Sequence, residues 1–549
     1  MNANYEDHDI CFASYNEYMK AMWDYPLGTY DVALPGGRAR YIDIEETIQM
    51  VFNHPIHYEE LKHAGILKLD GTTTRINPDV LHVRFSCDGA EMNKSKSVIT
   101  LSMTLIGFGA LIHSPVFNIP VAHVEGSESD LKMLRLKFTR VYEDISNLQG
   151  AVLKLKLPDG LDFYGKVHVL HVYDLKYAYN IVGHSLWTSD YFPHLFCHCM
   201  FLKCHHHYHT YVQRNGEPAP CQRLTNVEYK QLLNKAKIIR KEIQHEFNNT
   251  SVQEQEQMFK ERVRTENFGI NDKGALGHLL DIDTMYAEPL HCYLGLSTQH
   301  MKWLRHLRAQ YGISEVDFYT RMFSVVTKYA PSTQKLISDE AHTPAFIGRV
   351  CNVFWDHISV HGAKQLFKTI FKDSVNSVDI KQTIKMFDKF EKCRAEITCT
   401  WTSKANIEAF KRNVKIWYNL ACKTMWVSKG KETVYAHILA NVIPLDLEAW
   451  FQTSKHGYGV FSMQGTEHLN KVTKNLLRGH TNNQFDKERV HGGPPNDCFV
   501  TILRLSRWKF FVQHHVVHTT KLLREETIKK EELVPEHDVD IFIHQHIKH

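Results

Sequence analysis

The stretch VLHVRFSCDGAEMNKSKSVITLSMTLI, Val80 to Ile106, decides how the chain is read. An apolar, strand-like run, Val80–Cys87, leads into Asp88–Gly89, and a second such run begins at Val98 after a polar loop. Asp–Gly between two apolar runs is a strong hairpin signal, so the economical reading is a turn. A carboxylate where a strand leaves the core has a second reading, a cation ligand. The rest of the chain has to separate the two.

Outward from there the period stays that of strands. Val98–Ile106 reads as a second strand and Phe117–His123 as a third. Residues 127–148 then carry Leu131, Leu134, Leu136, Val141, Ile145 and Leu148 close to helical spacing. After LPDG, the run YGKVHVLHVYD reads as a fourth strand ending at Asp174, and a helix follows until Gly183 stops it. The order β-β-β-α-β is the plan of an RNase H-like α/β mixed sheet. In that plan the first and fourth strands are neighbours, so Asp88 and Asp174 meet. Two carboxylates held together repel unless a cation lies between them, and hard oxygen donors suit Mg²⁺ or Mn²⁺.

The remaining organisation is coarser. Residues 1–75 read as a helical pre-core region, 76–200 as the first part of the core, and 201–430 as a large helical insertion with a Cys/His-rich start. Residues 431–515 return to the core and 516–549 form a C-terminal helix and tail. The 549 residues carry a formal net charge of +4, which argues against an overall polycation but leaves basic patches open. No apolar run approaches the roughly 18 residues of a membrane span, and the acidic start MNANYEDHDI lacks a signal-peptide pattern. Among 12 cysteines one cluster stands out, Cys197, Cys199 and Cys204, followed by histidines, which suggests metal in a reducing compartment. Glu467 falls in the first turn of a helix marked by Leu469, Val472 and Leu476; its readings are a dipole-favourable surface acid or a third metal ligand.

Taken in order, SCDG at Asp88, YDLK at Asp174, PLHCYLGLSTQHMKWL from Pro289 and FSMQGTEHLNK around Glu467 resemble the catalytic region of the V(D)J recombination-activating recombinase and its Transib-like transposase relatives. The resemblance spans roughly Val80 to Gln513 in short islands. It implies a DDE-type DNA strand transferase and endonuclease: Asp88 bridging two Mg²⁺ or Mn²⁺ ions, Asp174 and Glu467 each completing one shell, and nicking followed by hairpin formation or insertion. It also implies a structural Zn²⁺ with ligands among Cys197, Cys199, Cys204 and His437. Here the family's Cys-x-x-Cys is Cys-x-Cys, and its second histidine position is Asn441. That leaves the fourth ligand open between Cys204 and the histidines from His205 to His209.

For DNA contacts the sequence offers Lys94, Lys96, Asn470, Lys471, Lys474 and Arg478, with Arg504, Arg507 and Lys509 further on. The resemblance implies double-stranded DNA ends as substrate, a homodimer, a kelch-repeat companion and a nuclear location. About eighty residues precede Asp88 and carry no C2H2 or RING-type spacing. A partial copy, or end recognition by the helical block or a partner, is therefore expected. The competing expectations are a catalytically decayed relative that binds DNA or protein, and a nuclease acting on RNA–DNA hybrids.

Overall fold

The structure, a computed structural model, describes residues 29–32, 39–63, 67–69, 74–76, 80–93, 96–184, 195–197, 221–272, 274–326, 348–426 and 433–479, with Phe499, Leu503 and Ser506. It is a mixed α/β protein, a mixed sheet accompanied by many helices.

The sheet is built around β5 (Val80–Asn93). Val83, Phe85 and Cys87 on one face and Arg84 and Ser86 on the other are all buried, the mark of a strand covered on both sides. β6 (Lys96–Leu105) and β7 (Ile119–Glu125) follow as antiparallel neighbours in turn. Helix α3 (Leu131–Leu148) then crosses over and packs on β9 (Asp162–Tyr173), burying Leu134, Phe138, Val141, Tyr142 and Ile145. β9 pairs parallel with β5, and the three-residue β10 (Met285–Ala287) pairs parallel with β9. At the other edge β2 (Ala39–Ile42) joins β7 antiparallel and carries β1 (Thr29–Val32). The order is β1-β2-β7-β6-β5-β9-β10, with β8 (Val152–Lys156) folded back on β9. Leu67–Leu69 and Thr74–Ile76, the strands β3 and β4, form a separate hairpin.

Several expectations change. Asp88–Gly89 is not a turn: β5 continues to Asn93, with Asp88 opposite Thr100 and Gly89 opposite Ile99. The pre-core region is not only helical. It holds α1 (Ile44–Asn53) and α2 (Pro55–His63), but also β1 and β2 on the sheet edge and the small hairpin. The block 201–430 is not one uninterrupted helical insertion, because β10 divides it. Before β10 lie α5 (Asn226–Glu246) and α6 (Val252–Glu266), which come after α4 (Leu175–Val182). After β10 come α7 (Pro289–Gln310), α8 (Glu315–Val326), α9 (Gly348–His361), α10 (Ala363–Phe371), α11 (Val378–Thr398) and α12 (Lys404–Lys423). The return to the sheet runs through α13 (Val434–His437), a π turn at Ile438–Val442, α14 (Ile443–Ser454) and α15 (Gln464–Gly479).

α15 lies across β5, and polar contacts from β5 and its neighbour β6 hold the helix and the segment that leads into it. Buried Arg84 donates to the carbonyls of Val460 and Ser462 and to Asn118 Oδ1. Ser102 on β6 meets Thr466 hydroxyl to hydroxyl at 3.2 Å. Two residues beyond Ser86, Asp88 accepts from Asn470 of α15. The expected tail, 516–549, lies outside the described residues. Among those that are described, no helix is long and apolar enough to cross a membrane.

Candidate metal centres

The parallel ladder between β5 and β9 ends at the rung Cys87–Tyr173. The next residue on each strand is an acid, so the register itself puts Asp88 beside Asp174. Asp174 is also the N-cap of α4, its Oδ1 accepting from Tyr177 N at 2.6 Å. That bond satisfies one of the helix's unpaired donors and fixes the side chain at the positive end of the dipole. Asp88 accepts a 2.6 Å bond from Asn470 Nδ2. Read from the sequence as a DNA contact, Asn470 is only 4 % exposed, and its Oδ1 is buried without a protein partner.

A third carboxylate joins these two, and it is not Glu467. Glu128, in the turn between β7 and α3, brings its carboxylate to Asp88 and Asp174, with one oxygen from each within 4.8 Å of the others, close enough to share a metal ion. It accepts from the backbone N–H of Gly89, and Lys176 Nζ lies 3.7 Å from its Oε2. Burial, and next the charge of Asp174, push Asp88 up to about 6 and Glu128 up to about 7. Buried beside other carboxylates, Asp88 and Glu128 hold their protons to higher pH than they would in water, Lys176 only partly opposing this at Glu128.

Glu467 stands next to this group in the first turn of α15, outside the 4.8 Å set. Its Oε1 lies 3.2 Å from His291 Nε2, and His291 Nδ1 lies 2.8 Å from Glu288 Oε2. Burial works against a charged imidazole, but the hydrogen bond and charge of Glu288 and the charge of Glu467 outweigh it, raising His291 to about 10. Glu467 itself is raised by burial, with His291 opposing. Its charge is felt at Asp88, and that of Asp174 at Glu467, so the four acids form one electrostatic unit.

Of the expected DNA contacts, Lys471 is exposed and Lys474 half-buried on α15. Lys94 lies outside the described residues, as do the side chains of Lys96 and Arg478 and all of Arg504, Arg507 and Lys509.

A second group lies between the segment after α4 and the helix before α14. Cys197 Sγ is 3.2 Å and Cys221 Sγ 3.8 Å from His437 Nε2, and the three ligand atoms lie within 4.8 Å of one another. Cys197 and His437 were expected here; Cys221 was not. Cys199, Cys204 and the histidines from His205 to His209 lie outside the described residues. Asn441 sits one turn beyond His437, its Nδ2 3.5 Å from the imidazole Nδ1 and bonded to the His437 carbonyl.

Sequence reasoning missed Glu128 because an acid in HVEGSESD has the look of any solvated turn. Cys221 was missed because the tight cluster upstream drew the assignment. No protein-family model matches this chain, and no characterised protein matches it.

Proposed function

We propose that the chain is a metal-dependent DNA strand transferase and endonuclease of the DDE type, on an RNase H-like core, as the resemblance implies. One observation carries the reading. Asp88 and Asp174 follow the last rung of one parallel ladder, and Glu467 stands on a helix packed across the same strand. The order β7-β6-β5-β9-β10, with β6 alone antiparallel to the other four, supports that core.

The donors fit a divalent cation. They are hard carboxylate oxygens crowded together, and a buried amide oxygen of Asn470 stands beside them without a protein partner. Divalent cations held there would supply an activated oxygen nucleophile and stabilise the leaving oxygen at a phosphodiester. Asp88 is the central ligand, oriented by Asn470. Asp174 is held rigid by its capping bond, and Glu128 and Glu467 close the two sides. Lys471 and Lys474, on the helix that carries Glu467, are suited to grip phosphates.

Cys197, Cys221 and His437 offer three of the four ligands of a structural Zn²⁺, and their thiolate and imidazole donors are those zinc takes. A second reading, a relative that binds DNA without cutting, draws on Glu467 contacting His291 rather than joining the carboxylate group.

The test is nicking of duplex DNA carrying transposon-like ends in Mn²⁺. Asp88→Asn, Asp174→Asn and Glu467→Gln should each lower the rate by more than about 100-fold while melting temperature holds. Nicking that survives Asp88→Asn contradicts the assignment, and a wild-type chain that binds such DNA without cutting favours the second reading.

A further inference from the structure

The segment that opens α7, Glu288-Pro-Leu-His291, has no part in the carboxylate group, yet it is built onto the helix carrying Glu467. The Glu288 side chain is 2 % exposed. Its Oε1 accepts from Leu290 N at 2.8 Å and from Met463 N at 2.8 Å. Its Oε2 accepts from His291 N at 2.5 Å and from His291 Nδ1 at 2.8 Å. Met463 directly precedes α15, and its carbonyl accepts from Glu467 N at 2.9 Å. One buried carboxylate thus holds both the backbone that starts α15 and the imidazole whose other nitrogen lies 3.2 Å from Glu467 Oε1.

A cap for α7 alone would need only the backbone donors at Leu290 and His291. The bond to Met463, across 175 residues of chain, and the ring bridging to Glu467 do nothing for that cap. A glutamate side chain has three rotatable bonds to settle, and on a helix first turn beside other acids its charge is driven outward. A planar ring clamped at one nitrogen by a buried carboxylate is a rigid counter to both effects.

We propose that Glu288 and His291 are positioning residues that aim Glu467 at the carboxylate group, holding Oε1 and presenting Oε2 to the bound cation. The inference rests on the strand-transferase reading and extends it, giving the PLHC island a role. Partners that orient a metal-binding side chain typically change metal affinity or activity by about 10–100-fold when removed.

The test uses the full chain with two readouts. In crystals of the metal-free protein, His291→Ala should release Glu467 into another rotamer, while Asp88, Glu128 and Asp174 stay in place. In Mn²⁺-dependent nicking, His291→Ala should lower kcat by about 10–100-fold at saturating Mn²⁺. His291→Gln, whose amide keeps one N–H toward Glu467, should fall between. If His291→Ala does not fold, the His291→Gln variant carries both comparisons, and wild-type kcat with an unmoved Glu467 overturns the proposal. An unmoved Glu467 in His291→Ala also overturns it. So does a kcat loss that excess Mn²⁺ fully restores, which would reduce His291 to a charge acting on cation affinity. Wild-type protein that fails to nick at all is a different result: the strand-transferase reading fails, and the relay loses its purpose with it.

Discussion

A β-carbon built on Gly89 would lie 2.5 Å from Glu128 Oε1 and 2.8 Å from its Cδ. The glycine after Asp88 is therefore needed for the approach of a second acid rather than for a turn. Its Cβ would meet the far end of a side chain, which can swing away, so Gly89→Ala should change folding stability by no more than about 1 kcal/mol. It should nonetheless weaken Mn²⁺ binding by displacing Glu128. In a double-mutant cycle the losses from Gly89→Ala and Glu128→Ala should overlap rather than add, since both remove the same ligand. Titration calorimetry that finds them additive would show that Glu128 does not bind the ion. At this scale the sequence was legible where a motif surrounds the residue, as at Asp88 and Asp174, which the fold brings together; Glu467, expected as a metal ligand, stands outside that group against His291. It was misleading at Asp–Gly, whose turn chemistry is overridden by pairing to β6 on one side. Glu128 was silent, because its partners come from a strand forty residues earlier and a helix cap still further on.

Among the elements, long periodic helices could be read and short pairings could not. β10 is three residues long and has no period of its own; it exists because β9 offers an open edge. β8 carries a visible alternation, VLKLK, with Leu153 and Leu155 buried, yet it has no place in the β-β-β-α-β order read from the sequence. The helical block instead gives a testable internal contact. His300 on α7 is fully buried among Trp355, Phe387, Phe390 and Trp417. Its Nδ1 lies 2.8 Å from the Leu296 carbonyl, and Trp417 Nε1–H donates to its Nε2 at 3.2 Å. Only the neutral ring with the proton on Nδ1 makes both bonds, and burial lowers the group to about 4, the Leu296 bond opposing. An unfolded histidine titrates near 6.5, so between these values the unfolded chain binds the proton first. The contribution of His300 is thus complete above about pH 6.5 and shrinks as pH falls toward 4. Melting temperature should drop more between pH 7 and pH 5 in the wild type than in His300→Gln. Equal drops would mean that the ring is protonated in the fold.

Across the whole molecule, what was legible was the order of the parts. Three strands, a crossover helix, a fourth strand and a distant helix with a third acid were all in the pattern. The way a helical block divides around β10 was not, since that depends on one short strand finding its edge. The Cys197–Cys221–His437 group links the segment after α4 to the helix leading back toward α15, so a metal there would join the two ends of the interrupted core. Purified protein should contain close to one zinc per chain by elemental analysis. Cys221→Ser should lose it and lower the melting temperature, because a folded-state metal stabilises by its binding free energy. Zinc-free protein with an unchanged melting temperature would reject the site. What occupies the space between the acids is decisive for the strand-transferase chemistry. Anomalous diffraction from Mn²⁺-soaked crystals should give a peak in contact with Asp88, Asp174 and Glu128, and with DNA bound a second peak about 3.5–4 Å away on the Glu467 side. Manganese that binds elsewhere while the Asp88 site remains empty would contradict it.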